Sequence, residues 1–407
     1  MSKIRETESQ LLSVYQKVNP STYAIETDVG EYRARENFLI SLIQKKLKLP
    51  RKMFDGTKLI EFGSGTGEHS LFFQKWGAQG TYVEINNKAI NRMVSLFDHF
   101  GIERDHYRTI QRSIFDFESD CKYELVVTNG VLHHLEQKEQ AFGTIASCLA
   151  PGGFLVLGIA NSAGFFQRNL QRLIVRRLAG ADETRTEQVA EQLFKEHLDR
   201  AQKYGRRSRK SIIYDTYCNP KIDTMSVTEV LELFHQHDLE LYSAWPPLLP
   251  AILGDSANRP SPDLRNYPNL TSLSELVFLS HRDDDYAALN LIEHQLEAIG
   301  DGLKEITSAV DENIFEGDQD IGELKKTLST VAISPRMLPN PYGPVATQAQ
   351  TLLAEAIEIL TLLEQDNITN IRQALYDCRY LFRGSAGIGM NYYVAERPTH
   401  PDRSPAR

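Results

Sequence analysis

The chain has 407 residues, 41% of them apolar, and carries a net charge of −9. That length allows two domains and a sizeable core. The negative balance excludes a protein that coats nucleic acid by overall charge, while leaving room for a local basic site. Cys121, Cys148, Cys218 and Cys378 stand far apart with no C-x-x-C pair. That rules out a cysteine zinc site and a disulfide framework, and it predicts reduced thiols in a cytoplasmic protein. The polar start MSKIRETESQ has no apolar signal core, and no apolar run is long enough to cross a bilayer. No membrane partner and no metal are expected.

Residues 1–57 read as helical. Leu11, Leu12 and Tyr15 share one face, and Phe38, Leu39, Leu42, Ile43 and Leu47 form a second stripe before Pro50. The loop NPSTYAIETDVGEYR between them either folds over a ligand or joins a helix pair packed on a sheet.

Lys58–Glu68 reads KLIEFGSGTGE. Leu59, Ile60 and Phe62 make a short strand, Glu61 interrupts it, and Gly63, Gly65 and Gly67 follow at alternate positions. Such glycines let the backbone adopt φ > 0 and let a ligand come close. A helix from near Glu68 then places free N–H groups beside the turn. The spacing departs from the dinucleotide fingerprint G-x-G-x-x-G. A plain glycine turn between a strand and a helix is the structural alternative.

Further strands are predicted at Gly80–Ile85, Tyr107–Ile110, Tyr123–Asn129 and Phe154–Ile159, with helices at Glu68–Trp76, Lys88–Phe100 and Gln137–Leu149 between them. Apolar strands alternating with helices give a parallel sheet covered on both faces. Ligands bind such sheets outside the carboxyl ends of the strands. Glu84, at the end of the second strand, suits the grip of two vicinal ribose hydroxyls.

Taken together, EFGSGTGE (61–68), VEI (83–85), TNGVLHHL (128–135) and LAPGGFLVLG (149–158) resemble the class I S-adenosylmethionine (SAM) methyltransferases, over roughly residues 55–160. The resemblance implies a Rossmann-like, seven-stranded, mostly parallel sheet with helices on both faces, and SAM as methyl donor. By position, Gly63, Gly65 and Gly67 would face the methionine part, Glu61 would be the acidic residue of the first motif, and Glu84 would hold the ribose. The family often has Asp at the end of strand three. Here Ser113 stands there, with Ile114 to pack on the adenine and Asp116 three residues on. Asn129 closes the fourth strand, and His133 or His134 offers a general base. A histidine placed there also serves as a cap or as packing near the cofactor. The N/D-P-P-Y sequence that marks nucleobase amine methylation in the family is missing, so the expected acceptor is a small molecule.

Two closing strands are expected at Leu239–Trp245 and Glu275–His281, after a helix at Val227–His237 capped by Ser226 or Thr224 with Glu229. Residues 160–214 then form a helical insertion with twelve Lys and Arg against six Asp and Glu. Arg206 and Arg207 in it suit an anionic acceptor or a solvated surface. RNA methylation through this insertion is a rival reading. Asp215 and Tyr217, in DTYCNP, face the acceptor or anchor the returning chain.

Residues 58–282 are thus expected to form the methyltransferase domain. Residues 283–398 would form an acidic helical bundle, and 399–407 a disordered tail. From 283 onward twenty acidic residues face ten basic ones. Leu289, Ile292, Leu296, Ile299, Leu303, Ile306 and Val310 keep heptad spacing, broken by Gly300 and Gly302, so a homodimer through these helices is the alternative to an intramolecular bundle. Helices are also expected at Ala346–Glu364 and Ile368–Phe382. A protein that binds SAM without turnover is the non-enzymatic rival.

Overall fold

A computed structural model describes residues 3–18, 22–248, 262–280, 321–331, 343–365, 367–383 and 389–399, with positions 304, 307, 308, 310 and 387. Seven strands share one sheet: β1 (Lys58–Phe62), β2 (Gln79–Glu84), β3 (Tyr107–Gln111), β4 (Tyr123–Asn129), β5 (Leu149–Ala160), β6 (Glu240–Trp245) and β7 (Met390–Glu396). Their order is β3-β2-β1-β4-β5-β7-β6. β1 pairs in parallel with β2 and β4, β2 with β3, and β4 with β5. β7 runs antiparallel to β6.

One expected strand is corrected. Glu275–Ser280 belongs to a helix, Pro268–Ser280, and the seventh strand is drawn from the far end of the chain. The helix is apolar nearly all round and buries Thr271–Leu276 and Phe278–Ser280. A helix buried on every side has no 3.6-residue stripe, so its sequence reads like a buried strand. The expected His281 lies outside the described residues. In consequence the chain between Trp245 and Met390 leaves the sheet after β6 and returns to it as β7, and an end at 282 would remove that strand.

Two compact units result. The first comprises Met1–Ile159, Leu231–Pro247 and Asn391–Arg407, the second Ala160–Val230 and Leu248–Met390. In the first, α1 (Lys3–Lys17) and α2 (Val29–Leu39) precede the sheet, and α3 (Ser70–Lys75), α4 (Asn87–His99) and α5 (Lys138–Ser147) connect its strands. Leu59, Leu125, Val127 and Val156 share one core with Phe72, Phe97 and, from β7, Val394.

The second unit opens with α6 (Ser162–Ala179), α7 (Glu183–Gly205) and α8 (Arg209–Ile213). The next helix, α9 (Val227–Gln236), starts with the expected capping box. The Glu229 N–H donates to Ser226 Oγ at 3.1 Å, and the Ser226 N–H donates to Glu229 Oε2 at 2.7 Å. The unit continues with α10 (Pro268–Ser280), α11 (Ile321–Thr330), α12 (Gly343–Leu363) and α13 (Ile368–Asp377). The basic stretch 160–214 and the acidic helices, expected apart, therefore fold within one unit, with Arg383 facing Glu196 at 3.7 Å. The heptad seam lies largely outside the described residues, as does the tail from 400. Among the described residues no helix is long and apolar enough to cross a membrane.

Candidate functional site

The turn after β1 carries Gly63, Gly65 and Gly67 at φ of 70°, 55° and 84°. All three lie in the left-handed region, where a Cβ strains the backbone. A Cβ at Gly63 would also enter the Val131 side chain, and one at Gly67 the Met93 side chain. Glycine at 63 and 67 thus answers to backbone conformation and to the chain's own packing. At Gly65 the N–H donates to Glu84 Oε2 at 2.9 Å, and the Asn86 N–H donates to Oε1 at 2.8 Å. The end of β2 is therefore tied to the glycine turn through one carboxylate. Burial raises the Glu84 pKa, and the two N–H donors oppose the shift. Each oxygen keeps a lone pair for a further donor.

Two hydroxyls at this end of the sheet, Ser64 Oγ and Thr128 Oγ1, are buried without a hydrogen-bond partner among the described residues. Orphaned buried hydroxyls are costly unless a ligand or water completes them. Beside Glu84, where β2 and β3 end, a cleft of about 480 Å³ opens between Arg5, Ile85, Gln111, Arg112, Ser113 and Asp116. A carboxylate with lone pairs to spare, unmet hydroxyls on the glycine turn and β4, and a cleft with both apolar and amide walls fit the nucleoside and amino-acid parts of SAM.

Glu61 is buried and accepts from Ser70 Oγ at 2.6 Å. Burial pushes its pKa up to about 7, Ser70 opposes, and the Glu84 charge adds to the rise. The folded chain thus holds a proton that the unfolded chain releases above the ordinary carboxylate value of 4.5. Its contribution to stability declines as pH rises from about 4.5 to about 7. Glu61→Gln should flatten that decline and stabilise the chain at pH 8 by up to ~3 kcal/mol, as read from chemical denaturation at a series of pH values.

Ser113 caps a short turn, accepting from the Phe115 N–H at 3.2 Å, and its hydroxyl donates to Glu8 of α1. Ile114 is buried. Asp116 is engaged by Arg5 of α1. Asn129 ends β4, lies over Gly158 and bonds Tyr392 of β7. His133 and His134 are both buried, with ring centroids 4.2 Å apart, and Tyr15 of α1 meets His134 edge-on at 6.2 Å. The Tyr23 N–H donates to Glu68 Oε1 at 3.2 Å, which brings the expected N-terminal loop to the glycine turn. Sequence reasoning missed Arg5, Glu8, Tyr15, Gln111 and Thr128. Only Thr128, inside the quoted TNGVLHHL, had a signal; nothing in the pattern of α1 pairs it with β3.

Asp215, Tyr217, Arg206 and Arg207 all belong to the second unit, and Arg207 and Asp215 are bonded to each other. Arg207 Nη1 donates to Asp215 Oδ2 at 2.9 Å. The Tyr217 hydroxyl, buried, donates to Gln171 Oε1 at 3.3 Å. Arg206 is the left-handed residue that ends α7. Neighbouring Arg209 grips Glu191 through two nitrogens and Asp199 through a third.

Residues 31–244 match the family model described as a methyltransferase domain. No curated protein matches the chain. Among solved structures it is similar to the glycopeptide N-methyltransferase MtfA complexed with S-adenosyl-L-homocysteine, at 20% identity over 27% of this chain and 45% of that one, with a TM-score of 0.25. It is similar to magnesium protoporphyrin IX methyltransferase ChlM from Synechocystis PCC 6803, at 12% identity over 59% and 87%, with a TM-score of 0.34. It is also similar to the N-methyltransferase NodS from Bradyrhizobium japonicum WM9, at 22% identity over 39% and 74%, with a TM-score of 0.29. The match spans about half the length of the first of these.

Proposed function

The chain belongs to the methyltransferase-domain family, and from that premise we propose that it is an enzyme transferring a methyl group from SAM to a small-molecule acceptor. The fold is that of the class I SAM methyltransferases with a C-terminal extension, and the cofactor is SAM. The observation that carries the reading is the Glu84 carboxylate bonded to the Gly65 N–H at the end of β2.

When bound, SAM supplies a methyl group on a positively charged sulfur. Glu84 would accept the two ribose hydroxyls with its remaining lone pairs. The turn from Gly63 to Gly67, with Glu61 behind it, would lie along the methionine part. Ser113, Ile114 and Gln111 would hold the adenine. Asn129 and the two histidines stand at the end of β4, where the acceptor would meet the methyl. An acceptor that must lose a proton needs a base there, and His133 and His134 are the candidates. Holding the two reactants in line away from water does the rest.

The small-molecule part of the proposal is supported by the sequence after β4, Asn129-Gly130-Val131-Leu132, which lacks the N/D-P-P-Y sequence. Arg207 and Arg209 already face carboxylates within the second unit, which removes their support for an anionic acceptor and for RNA. The test is incubation with methyl-labelled SAM and metabolite extracts, read by mass spectrometry; the proposal expects a labelled small molecule, and label on RNA alone or on nothing contradicts it. With that acceptor in hand, alanine at one of the two histidines should lower kcat by ~10²-fold and shift its pH profile without changing SAM affinity. Changes under twofold in both variants would leave no general base at this position.

A further inference from the structure

α7 and α13 leave between them a cleft of about 800 Å³, wholly within the second unit. That is the size of a small-molecule pocket. Phe194 and Phe382 form an apolar floor, with ring centroids 5.2 Å apart at 72°. Tyr376 stands at the rim, 70% exposed. Phe382 is held at φ of 58°, a conformation rare for an aromatic residue, while its N–H donates to the buried Gln167 Oε1 at 2.9 Å. That bond fixes the ring at the floor.

His197 lies edge-on to both rings, 6.4 Å from Phe194 and 6.0 Å from Phe382. Its Nε2 is buried and has no hydrogen-bond partner among the described residues. Burial first, then the charges of Arg168, Arg200 and Arg383, hold its pKa down to about 4, so the ring is neutral at pH 7. A buried ring nitrogen left unmet is destabilising unless a ligand meets it.

The lining is also cationic. Lys195, Arg372 and Arg383 line the cleft; Lys195 is paired with Asp199 at 2.7 Å and Arg383 faces Glu196 at 3.7 Å, so Arg372 is the cation left for a ligand among these three. Arg383 is anchored by donating to the carbonyls of Cys378 at 2.8 Å and Leu375 at 3.2 Å. Arg372 is exposed and makes no hydrogen bond or ion pair among the described residues.

We propose that this cleft is a binding site, separate from the methyl-transfer reaction, for a small molecule with a flat apolar body and one anionic group. The body would lie on Phe194 and Phe382. The anion would take the Nε2–H of neutral His197 and face Arg372. A carboxylate and a phosphate share this chemistry.

The test is isothermal titration of the full chain with naphthalene-1-carboxylate, and separately with naphthyl phosphate. One saturable site is expected for at least one probe, with a Kd below about 1 mM. Arg372→Glu, a surface change that should leave the melting temperature in place, is expected to weaken binding at least ~10-fold by reversing a charge at the rim. His197→Phe should weaken it as well, and Glu84→Gln should leave it unchanged. Three results would overturn the proposal: no saturable heat with either probe, equal affinity in Arg372→Glu, or loss of probe binding in Glu84→Gln, which would put the probe in the SAM site.

Discussion

A chain cut after residue 282 is expected to fail to fold, although 283 is where the sequence changes character. The cut removes β7, which sits between β5 and β6 in the sheet. Tyr393, Val394 and Ala395 are at most 1% exposed, and Val394 belongs to the same core as β1, β4 and β5. Burying Tyr393 and Val394 alone is worth ~3–6 kcal/mol, and the lost ladder bonds on both neighbours add to it. Whole domains have only ~5–15 kcal/mol to lose. The truncated chain should therefore be insoluble or lack a cooperative thermal transition by circular dichroism. Val394→Asp tests the same point in the intact chain, placing an unpaired charge in the core at a cost of several kcal/mol. A truncated chain that melts cooperatively and binds SAM would show that β7 is dispensable.

The contrast between the two halves of the fold has a physical cause. β1 to β4 are short apolar runs bounded by glycine, proline or polar residues and interleaved with helices, and each falls within two residues of its expected place. Local pattern suffices to place each of these strands because its ends are marked in the sequence by turn residues and by the helix that follows. The pairing of β6 with β7 spans a separation of some 150 residues, with Glu240 opposite Glu396, and no local pattern encodes it. MNYYVAE, with its two tyrosines and a valine, is a plausible strand by composition. ELVFLS competes with it for the seventh place, because a buried helix and a buried strand carry the same apolar run.

The site was legible to a similar degree. The three glycines and Glu84 could be read because strand ends and positive-φ turns leave marks in sequence. The bonds from Arg5 to Asp116 and from the Ser113 hydroxyl to Glu8 join residues more than a hundred positions apart, and no spacing announces them.

Glu84→Ala is expected to weaken SAM binding by at least ~100-fold, since it removes the acceptor of two charge-assisted hydrogen bonds worth ~1.5–3 kcal/mol each. The unliganded fold loses a buried charge that burial disfavours but leaves the Gly65 and Asn86 N–H groups without their acceptor, so a modest drop in melting temperature with a cooperative transition is expected. Titration calorimetry gives the affinity, and a thermal melt without ligand gives the control. In the wild-type chain SAM affinity should fall on acidification at a higher pH than for an ordinary carboxylate, since the pKa of Glu84 is raised and its protonated form loses an acceptor. Unchanged affinity in a folded Glu84→Ala variant would remove the ribose assignment.

The most direct measurement is a crystal structure of the full chain grown with S-adenosylhomocysteine. The predicted density has the ribose hydroxyls on the Glu84 carboxylate, the amino-acid end along Gly63 to Gly67, and the adenine in the cleft beside Ser113 and Gln111. Density for the nucleoside elsewhere, with the Glu84 carboxylate still bonded only to Gly65 and Asn86, would contradict the account.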